Sequence, residues 1–480
     1  MEETEQVFWP PSHGESLFRR TCEIATEFVC HANERPVAKV VTPASLQSVL
    51  GSALPDEGEP ADTVINNLNQ HVQPGLVASN AGRYFGFVVG AAWPVSIAAD
   101  WLVSAWDQNA GFYVLSPAAA VIEKVTAGWI KNLLGLPDES AVGFVTGCQM
   151  ANLMALASAR QSVLDRVGWD VALQGLHGAP RLRVLTSAEA HGTIDRALAV
   201  LGVGADTAHR IPCDDQGRLD VTFLRDMLME ADNPQPTIVA AQAGNVDTGS
   251  FDRFQDIAET CRKHDAWLHV DGAFGLWAAA SRKHRHLTEG IHLADSWATD
   301  AHKWLNVPYD SGIVIVRDGD ALVRSTRYRG DYLVRTQEIA DPCTFTPESS
   351  RRARAIPIYA ALRFLGKTGV ESLVDRCCAN ATLMAQLLSE GGLQVLNDVV
   401  LNQVLFRCPT PHDDKAFHDR LIGRIQRDGT CWLGGTTRQG RPAMRISVCS
   451  FQTSREDIER SAGAILRCLA LEIAAAGDQP

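Results

Sequence analysis

The sequence predicts an α/β protein, with a mainly parallel sheet flanked by helices. A helical N-terminal segment precedes the sheet and a smaller α+β domain follows it. Three observations carry this prediction. Between residues 142 and 316, short apolar runs alternate with helical stretches, the pattern of strands joined by right-handed crossovers. Asp271 closes the apolar run Ala266 to Val270, placing a carboxylate at the carboxyl end of a buried strand, where open α/β sheets bind ligands. Beyond residue 356, helices mix with strands such as Asn402 to Phe406 and Met444 to Val448, without the earlier alternation.

In chain order, residues 1–80 read as a helical segment, 81–355 as the large domain and 356–480 as the small one. Thr42 and Pro43 form an N-cap and first-turn pair ahead of Leu46, Val49 and Leu50. Pro55 to Pro60 reads as a loop. Ser116 and Pro117 open a helix from Ala118 to Leu134, with Ile122, Val125, Trp129 and Leu133 on one face. Val142 to Val145 is a short strand, and the turn 146–149 hands it to a helix from Met150 to Leu164. Leu182 to Leu185 leads through Ser187 and His191 into a helix from Thr193 to Leu201. Thr237 to Ala241 leads through Gly244 and Asn245 into the helix Phe254 to Lys263, and then to the Asp271 strand. Ser296 to Thr299 leads to Lys303, and Gly312 to Val316 follows. Residues 325–350 carry much charge and little periodicity and read as a mobile loop; helix resumes at Pro357.

Composition narrows the function. Hydrophobic residues make up 46% and charged residues 21%, a globular balance rather than a disordered one. The net charge of −12 and the lack of a basic stripe argue against a nucleic-acid partner. Apolar runs such as Ala98 to Trp106 are broken by Asp100 and are too short to span a bilayer. The acidic start (Glu2, Glu3, Glu5) is unlike a secretory signal. The 12 cysteines contain no C-x-x-C, which suggests reduced thiols in a cytoplasmic protein and no zinc site. His284, His286 and His292 read as a solvated basic loop, with no acidic or cysteine partner at ligand spacing, so no metal is expected.

Lys303, in the run Asp300 to Trp304, lies 32 residues after Asp271, room for one connection and one further strand. A lysine and a strand-end carboxylate that meet over one cofactor are what pyridoxal phosphate requires. The amine forms the Schiff base, and the carboxylate keeps the pyridine nitrogen protonated so that the ring accepts electrons. Either residue alone reads as a surface lysine or a core-edge aspartate; together they favour the cofactor. Gly147, Cys148 and Gln149 open a helix directly after a strand, where free N–H groups and the helix dipole bind phosphate. His191, also between strand and helix, is placed to stack on the cofactor ring; by itself it reads as a helix cap.

From about residue 30 to 465 the chain is similar to fold-type I pyridoxal-phosphate enzymes. Within these it resembles the group II amino-acid decarboxylases, which include aromatic-L-amino-acid, histidine and glutamate decarboxylases. The strongest stretch runs from His269 to Ala273, through Ala294 to Trp297, to His302, Lys303 and Trp304. The resemblance implies a seven-stranded sheet and pyridoxal 5'-phosphate as cofactor. It makes Lys303 the Schiff-base lysine, Asp271 the pyridinium partner and His191 the stacking ring, with Cys148 and Gln149 in the phosphate loop and His302 beside the phosphate. It further places Asn245 near the cofactor hydroxyl, Tyr332 on a loop that returns a proton to the substrate Cα, and Arg445 near the substrate. Asp300 stands where aromatic decarboxylases usually carry asparagine, and Cys148 and Gln149 stand where they carry small hydroxyl residues. A carboxylate near a phosphate is costly unless a cation such as His302, or water, separates the two.

The resemblance also implies a homodimer with shared sites, the stretch Gln108 to Tyr113 reaching into the neighbour. Phe87 and Trp93 fall in the segment that lines the substrate pocket in relatives, with Phe112 and Tyr113 contributed by the partner chain. These aromatics favour an apolar or aromatic amino acid, although Gly86 replaces a bulky residue of the aromatic enzymes. Arg445 favours an acidic substrate instead, and a diamino acid or another fold-type I reaction stays open.

Overall fold

A computed structural model describes residues 11–37, 41–51, 53–54, 56–229, 235–327 and 339–477. The large sheet has seven strands: β1 (Ala141–Val145), β2 (Arg183–Ser187), β3 (Ala208–Ile211), β4 (Thr237–Gln242), β5 (Trp267–Asp271), β6 (Ser296–Asp300) and β7 (Gly312–Val316). Their order is β1-β7-β6-β5-β4-β2-β3. Strands β3, β2, β4, β5 and β6 run parallel, whereas β7 is antiparallel to both β6 and β1. The reversal has a local cause. Residues 301–311, which contain Lys303, join β6 to β7 without a helix, too short a link for a parallel crossover. The carboxyl ends of β1, β2, β4, β5 and β6 therefore share one edge with the start of β7.

Strands β4 to β7 are buried along their whole length, as continuous apolar runs covered on both faces must be. The helix Cys148–Asp165 covers one face against β5, β6 and β7. Trp277, Trp297 and Trp304 belong to the core on the other. Strand β3 escapes sequence reading because His209 and Arg210, in the middle of its four residues, are exposed on the sheet edge.

Two expectations need correction. The buried face of the helix Pro117–Leu134 carries Ala119, Glu123, Thr126, Ile130 and Leu134, while Val125 is exposed. Glu123 is buried because Arg351 pairs with it at 2.8 Å. Nor is the whole of 325–350 loose. The Asp341 carboxylate accepts the Tyr113 amide at 2.8 Å, and the Thr326 hydroxyl donates to the Thr344 carbonyl at 2.6 Å.

The second sheet, antiparallel, contains β8 (Gln394–Val395), β9 (Gln403–Arg407), β10 (Gly434–Arg438) and β11 (Arg441–Ser447) in the order β10-β11-β9-β8. The sequence division at 355/356 falls at the first residue of the helix Ala355–Glu390, which breaks at Gly366 (φ 59°). That helix packs on Pro94–Trp106 and Pro117–Leu134, and also on the helix Arg455–Gly477 of the small domain. The N-terminal helices are Pro11–Cys30, Pro43–Leu50 and Ala61–Val72, and the second starts where expected, after Thr42, whose hydroxyl accepts the Ser45 amide. Arg83 ties this segment to the small domain: its guanidinium donates to the Asn33 and Thr430 carbonyls and pairs with Asp457 at 2.9 Å. Among the described residues, no helix is long and apolar enough to cross a membrane.

Candidate active site

Five strand ends and the helix Cys148–Asp165 converge on one cleft of about 240 Å3. Phe87, Gly147, Cys148, Gln149, His191, Asp271, Asp300, His302 and Lys303 all line it. The sheet explains the convergence: Asp271 ends β5, Asp300 ends β6, Gly147 follows β1 and His191 follows β2. Gly312 at the start of β7 packs so closely on Gly147 that a Cβ would overlap its backbone. At Gly147 itself, a Cβ would stand 3.1 Å from the His302 ring and 3.4 Å from the Asp300 carboxylate.

Asp271 is buried and faces four donors: the Asn152 amide at 3.0 Å, the Ala273 amide at 3.2 Å, the Thr193 hydroxyl at 3.4 Å and the Cys148 thiol at 3.5 Å. Burial pushes the Cys148 thiol well up, so it remains a donor. Behind Asn152 stands a chain of hydrogen bonds. Trp267 donates to the Ser296 hydroxyl at 2.9 Å, Ser296 meets His269 Nδ1 at 3.0 Å, and His269 Nε2 meets the Asn152 oxygen at 3.0 Å. Burial pushes His269 down to about 4, so the ring is neutral and carries one hydrogen. With that hydrogen on Nε2, every donor in the chain points the same way and ends on Asp271, the arrangement in which hydrogen bonds reinforce one another.

Lys303 Nζ lies 3.0 Å from Asp300 Oδ2. Burial is the largest single influence and would lower the Lys303 amine, but the surrounding groups, Asp300 foremost and Asp271 with it, together outweigh it and hold the amine above its ordinary value. Asn306, in the left-handed region (φ 56°) that asparagine tolerates, positions the lysine loop. Its side chain donates to the Lys303, Trp304 and Cys449 carbonyls and accepts the Ala91 and Phe451 amides. Gly90 is required beside it, because a Cβ there would overlap the Lys303 carbonyl. Burial lowers His302, whose Nδ1 accepts the Ser311 amide at 3.1 Å and whose Nε2 lies 3.3 Å from Asp300. His302 is therefore a neutral donor, not the cation expected between carboxylate and phosphate. His191 caps its helix by accepting the Thr193 amide, and its ring still lines the cleft.

Other expected residues lie elsewhere. The Asn245 side chain is turned away: its oxygen accepts the Asp247 and Thr248 amides and its nitrogen donates to Glu189, leaving Gly244 and Val246 to line the cleft. Trp93 is half-buried and packs against the core, stacked on Phe451 at 3.9 Å. Phe112 and Tyr113 do not line this chain's cleft. Arg445 lies behind the lining, donating to the Val246 carbonyl at 2.6 Å with Asp247 at 3.9 Å. Tyr332 lies outside the described residues.

Sequence reasoning missed Asn152, Thr193, Tyr309 and Trp432. Asn152 had a signal, being polar and one turn past Cys148 on the same helix face. Tyr309 stacks on His302 at 4.2 Å. Trp432, far along the chain, stacks on Tyr84 at 5.0 Å and on Phe87 at 5.4 Å, and its ring fills the space a side chain at Gly86 would need.

Residues 43–409 match the pyridoxal-dependent decarboxylase conserved domain. The chain belongs to the pyridoxal-dependent decarboxylases. It is 27% identical over 91% of its length to aromatic-L-amino-acid decarboxylase of Bacillus atrophaeus, covering 91% of that protein. It is 28% identical over 93% of its length to acidic amino acid decarboxylase GADL1 of Bos taurus, covering 89% of that protein. In fold, the decarboxylase superposes on Oryza sativa TDC solved with PLP and tryptamine (TM-score 0.90, 23% identity, 97% of this chain and 99% of that one). Mouse CSAD gives a TM-score of 0.87 at 23% identity, over 96% of this chain and 99% of that one. The protein is a carboxy-lyase acting on an amino acid with pyridoxal 5'-phosphate as cofactor. The cleft fits that cofactor: it offers an amine, a strand-end carboxylate, a ring at His191 and a helix start with no Cβ at Gly147.

Proposed function

We propose that this decarboxylase converts an L-amino acid with an apolar or aromatic side chain into its amine. The carrying observation is the aromatic wall of the cleft. Phe87 stands there in the left-handed region (φ 56°) with Val88 (φ 62°), conformations that non-glycine residues hold only where the surroundings over-determine them. Trp432 and Tyr84 back it. Apolar area gains about 25 cal/mol per Å2 on burial against such a wall. Arg445 supports the same choice, because its guanidinium is engaged by the Val246 carbonyl and Asp247 rather than open for a bidentate clamp. Acidic amino acids are the second reading, since Arg445 is close enough to His191 to affect its charge. Comparing kcat/KM for CO2 release from phenylalanine, tyrosine and tryptophan with that from glutamate, aspartate and 2,4-diaminobutyrate decides. A higher value for glutamate or aspartate would end the apolar reading, and Arg445→Ala should then abolish most of their binding.

The bound cofactor supplies the electron sink for the carbanion left at Cα when CO2 departs. In this reading Lys303 would hold the cofactor through its side-chain amine. Asp271, aimed by Asn152 and Thr193, would face the ring nitrogen and favour its protonated form. His191 would lie against the ring, and the first-turn amides of Cys148 and Gln149 would hold the phosphate. Phe87 would present an apolar face beside the substrate carboxylate, so that its charge is not over-stabilised before it leaves. Tyr332 returns the proton to Cα, a role that rests on the sequence match alone. Tyr332→Phe should slow amine release; unchanged amine output would assign the proton to another group.

Two further parts belong to the proposal. The active unit is a homodimer with Gln108 to Tyr113 reaching into the neighbouring cleft, supported by Phe112 and Tyr113 lying away from their own. The three-part division of the chain and a cytoplasmic location complete it, the latter resting on the reduced-thiol pattern.

A further inference from the structure

We propose that Asp300 takes the ammonium proton of Lys303 as the cofactor is loaded and then donates that hydrogen to the cofactor phosphate. The inference rests on the assignment of Lys303 and the 147–149 turn made above.

Asp300 is only 2% exposed. Its Oδ1 accepts the Cys148 amide at 2.5 Å, in the first turn of the helix whose free N–H groups would hold a phosphate. Its Oδ2 lies 3.0 Å from Lys303 Nζ. Its backbone is held in place. Its amide donates to the Ala273 carbonyl at 2.9 Å, its carbonyl accepts Trp277 Nε1 at 2.9 Å, and it pairs with Gly312 in the β6–β7 ladder. A phosphate seated at this helix start therefore lies against the Asp300 carboxylate. When the phosphate is a dianion, both groups offer only acceptor oxygens, and in a dry site two such groups repel unless a hydrogen lies between them. Asparagine would provide that hydrogen permanently; aspartate provides it only when protonated.

Among the described residues, the surroundings name one side chain as the source of the proton. The groups that act electrostatically with Asp300 are Lys303, His302, His191, Cys148, Tyr309 and Cys449. Asp271 lies beyond Lys303 and is a second anion. Burial drives the two histidines toward neutrality and the two thiols away from ionising. Lys303, raised by Asp300, is the cation in contact, and it must shed a proton to become a nucleophile. The balance closes within the pair. One ammonium proton passes to Asp300 Oδ2, and the neutral amine adds to the cofactor aldehyde. Water leaves with the aldehyde oxygen and the two remaining amine hydrogens as the carbon–nitrogen double bond forms. The buried charge pair becomes two neutral groups, one of them a hydrogen-bond donor aimed at the phosphate.

Infrared difference spectra of the protein before and after loading with pyridoxal 5'-phosphate test this. The expected result is gain of a protonated-carboxyl C=O band that shifts when aspartate is 13C-labelled at its side-chain carboxyl and is lost in Asp300→Asn. If that variant does not fold, Asp300→Glu with the label moved to glutamate locates the band. A loaded wild-type protein without an aspartate-derived band overturns the inference, as does a band that persists in Asp300→Asn. A protein that takes up no cofactor, judged by visible absorbance, would instead overturn the assignment of the site.

Discussion

Asp271 shows what a carboxylate needs in order to be buried in the cleft. A buried carboxylate is stable only when its oxygens are fully engaged, and four donors engage this one. Asn152→Ala removes the donor nearest to it and leaves the His269 chain without an acceptor. We expect a loss of about 1–3 kcal/mol in denaturant-measured stability, together with weaker cofactor retention by absorbance after gel filtration. A variant as stable as wild type would mean the chain is incidental. At Lys303 the test is covalent: borohydride should fix the cofactor to the Lys303 peptide in wild type and not in Lys303→Ala. Turnover of that variant should fall by roughly 10²–10⁴-fold. Asp271 and Lys303 were legible in the sequence because each follows a recognisable strand at a spacing that lets both reach one ligand. Asn245, Trp93 and Arg445 were not, since a motif fixes position along the chain but not the direction of a side chain.

At the scale of elements, β5 carries both a cleft-lining end at Asp271 and a buried histidine. The folded value of His269, about 4, lies below its ordinary 6.5, so the neutral ring contributes its full stability above pH 6.5. That contribution is lost as pH falls through this window toward 4, on the order of 3 kcal/mol in all. Asp252, pushed up to about 6 by burial, acts with the opposite sign. The difference between wild type and His269→Asn therefore isolates the histidine: the acid-side fall in Tm should be shallower in the variant. Parallel Tm profiles would show that the ring is not held neutral. A second pairing of elements joins Gly86 to Trp432. Gly86→Ala forces a Cβ into the Trp432 ring and should raise KM for aromatic substrates, whereas Trp432→Ala should relieve the clash when combined with it. The double variant behaving no better than Gly86→Ala would remove Trp432 from the pocket wall.

Across the whole molecule, the exposed apolar side chains of one region call for a cover. Trp101, Leu102 and Trp106 on the helix Pro94–Trp106, Val114 and Leu115 after it, and Val121 and Val125 on the next helix are all solvent-exposed in the single chain. Burying each large apolar side chain is worth about 1.5–3 kcal/mol, enough for a few of them to hold two copies together. Sedimentation at assay concentration should give a dimer, and Trp101→Glu with Trp106→Glu should shift it toward monomer with loss of activity. An active wild-type monomer would rule the shared-site reading out.

The α/β class, six of the seven large-sheet strands within two residues of their observed bounds, the cofactor chemistry and the lysine–aspartate pair were set by local pattern. Each depends on periodicity within a strand or helix, or on a short motif between two of them. The antiparallel return of β7, the edge strand β3, the neutral state of His302 and the Trp432 wall were decided only by tertiary structure. Strand direction follows from whether a connection has room for a crossover, and an edge strand needs no apolar run to form. Protonation depends on which charges burial brings within a few ångströms, and a residue more than three hundred positions away reaches Phe87 only once the small domain has docked.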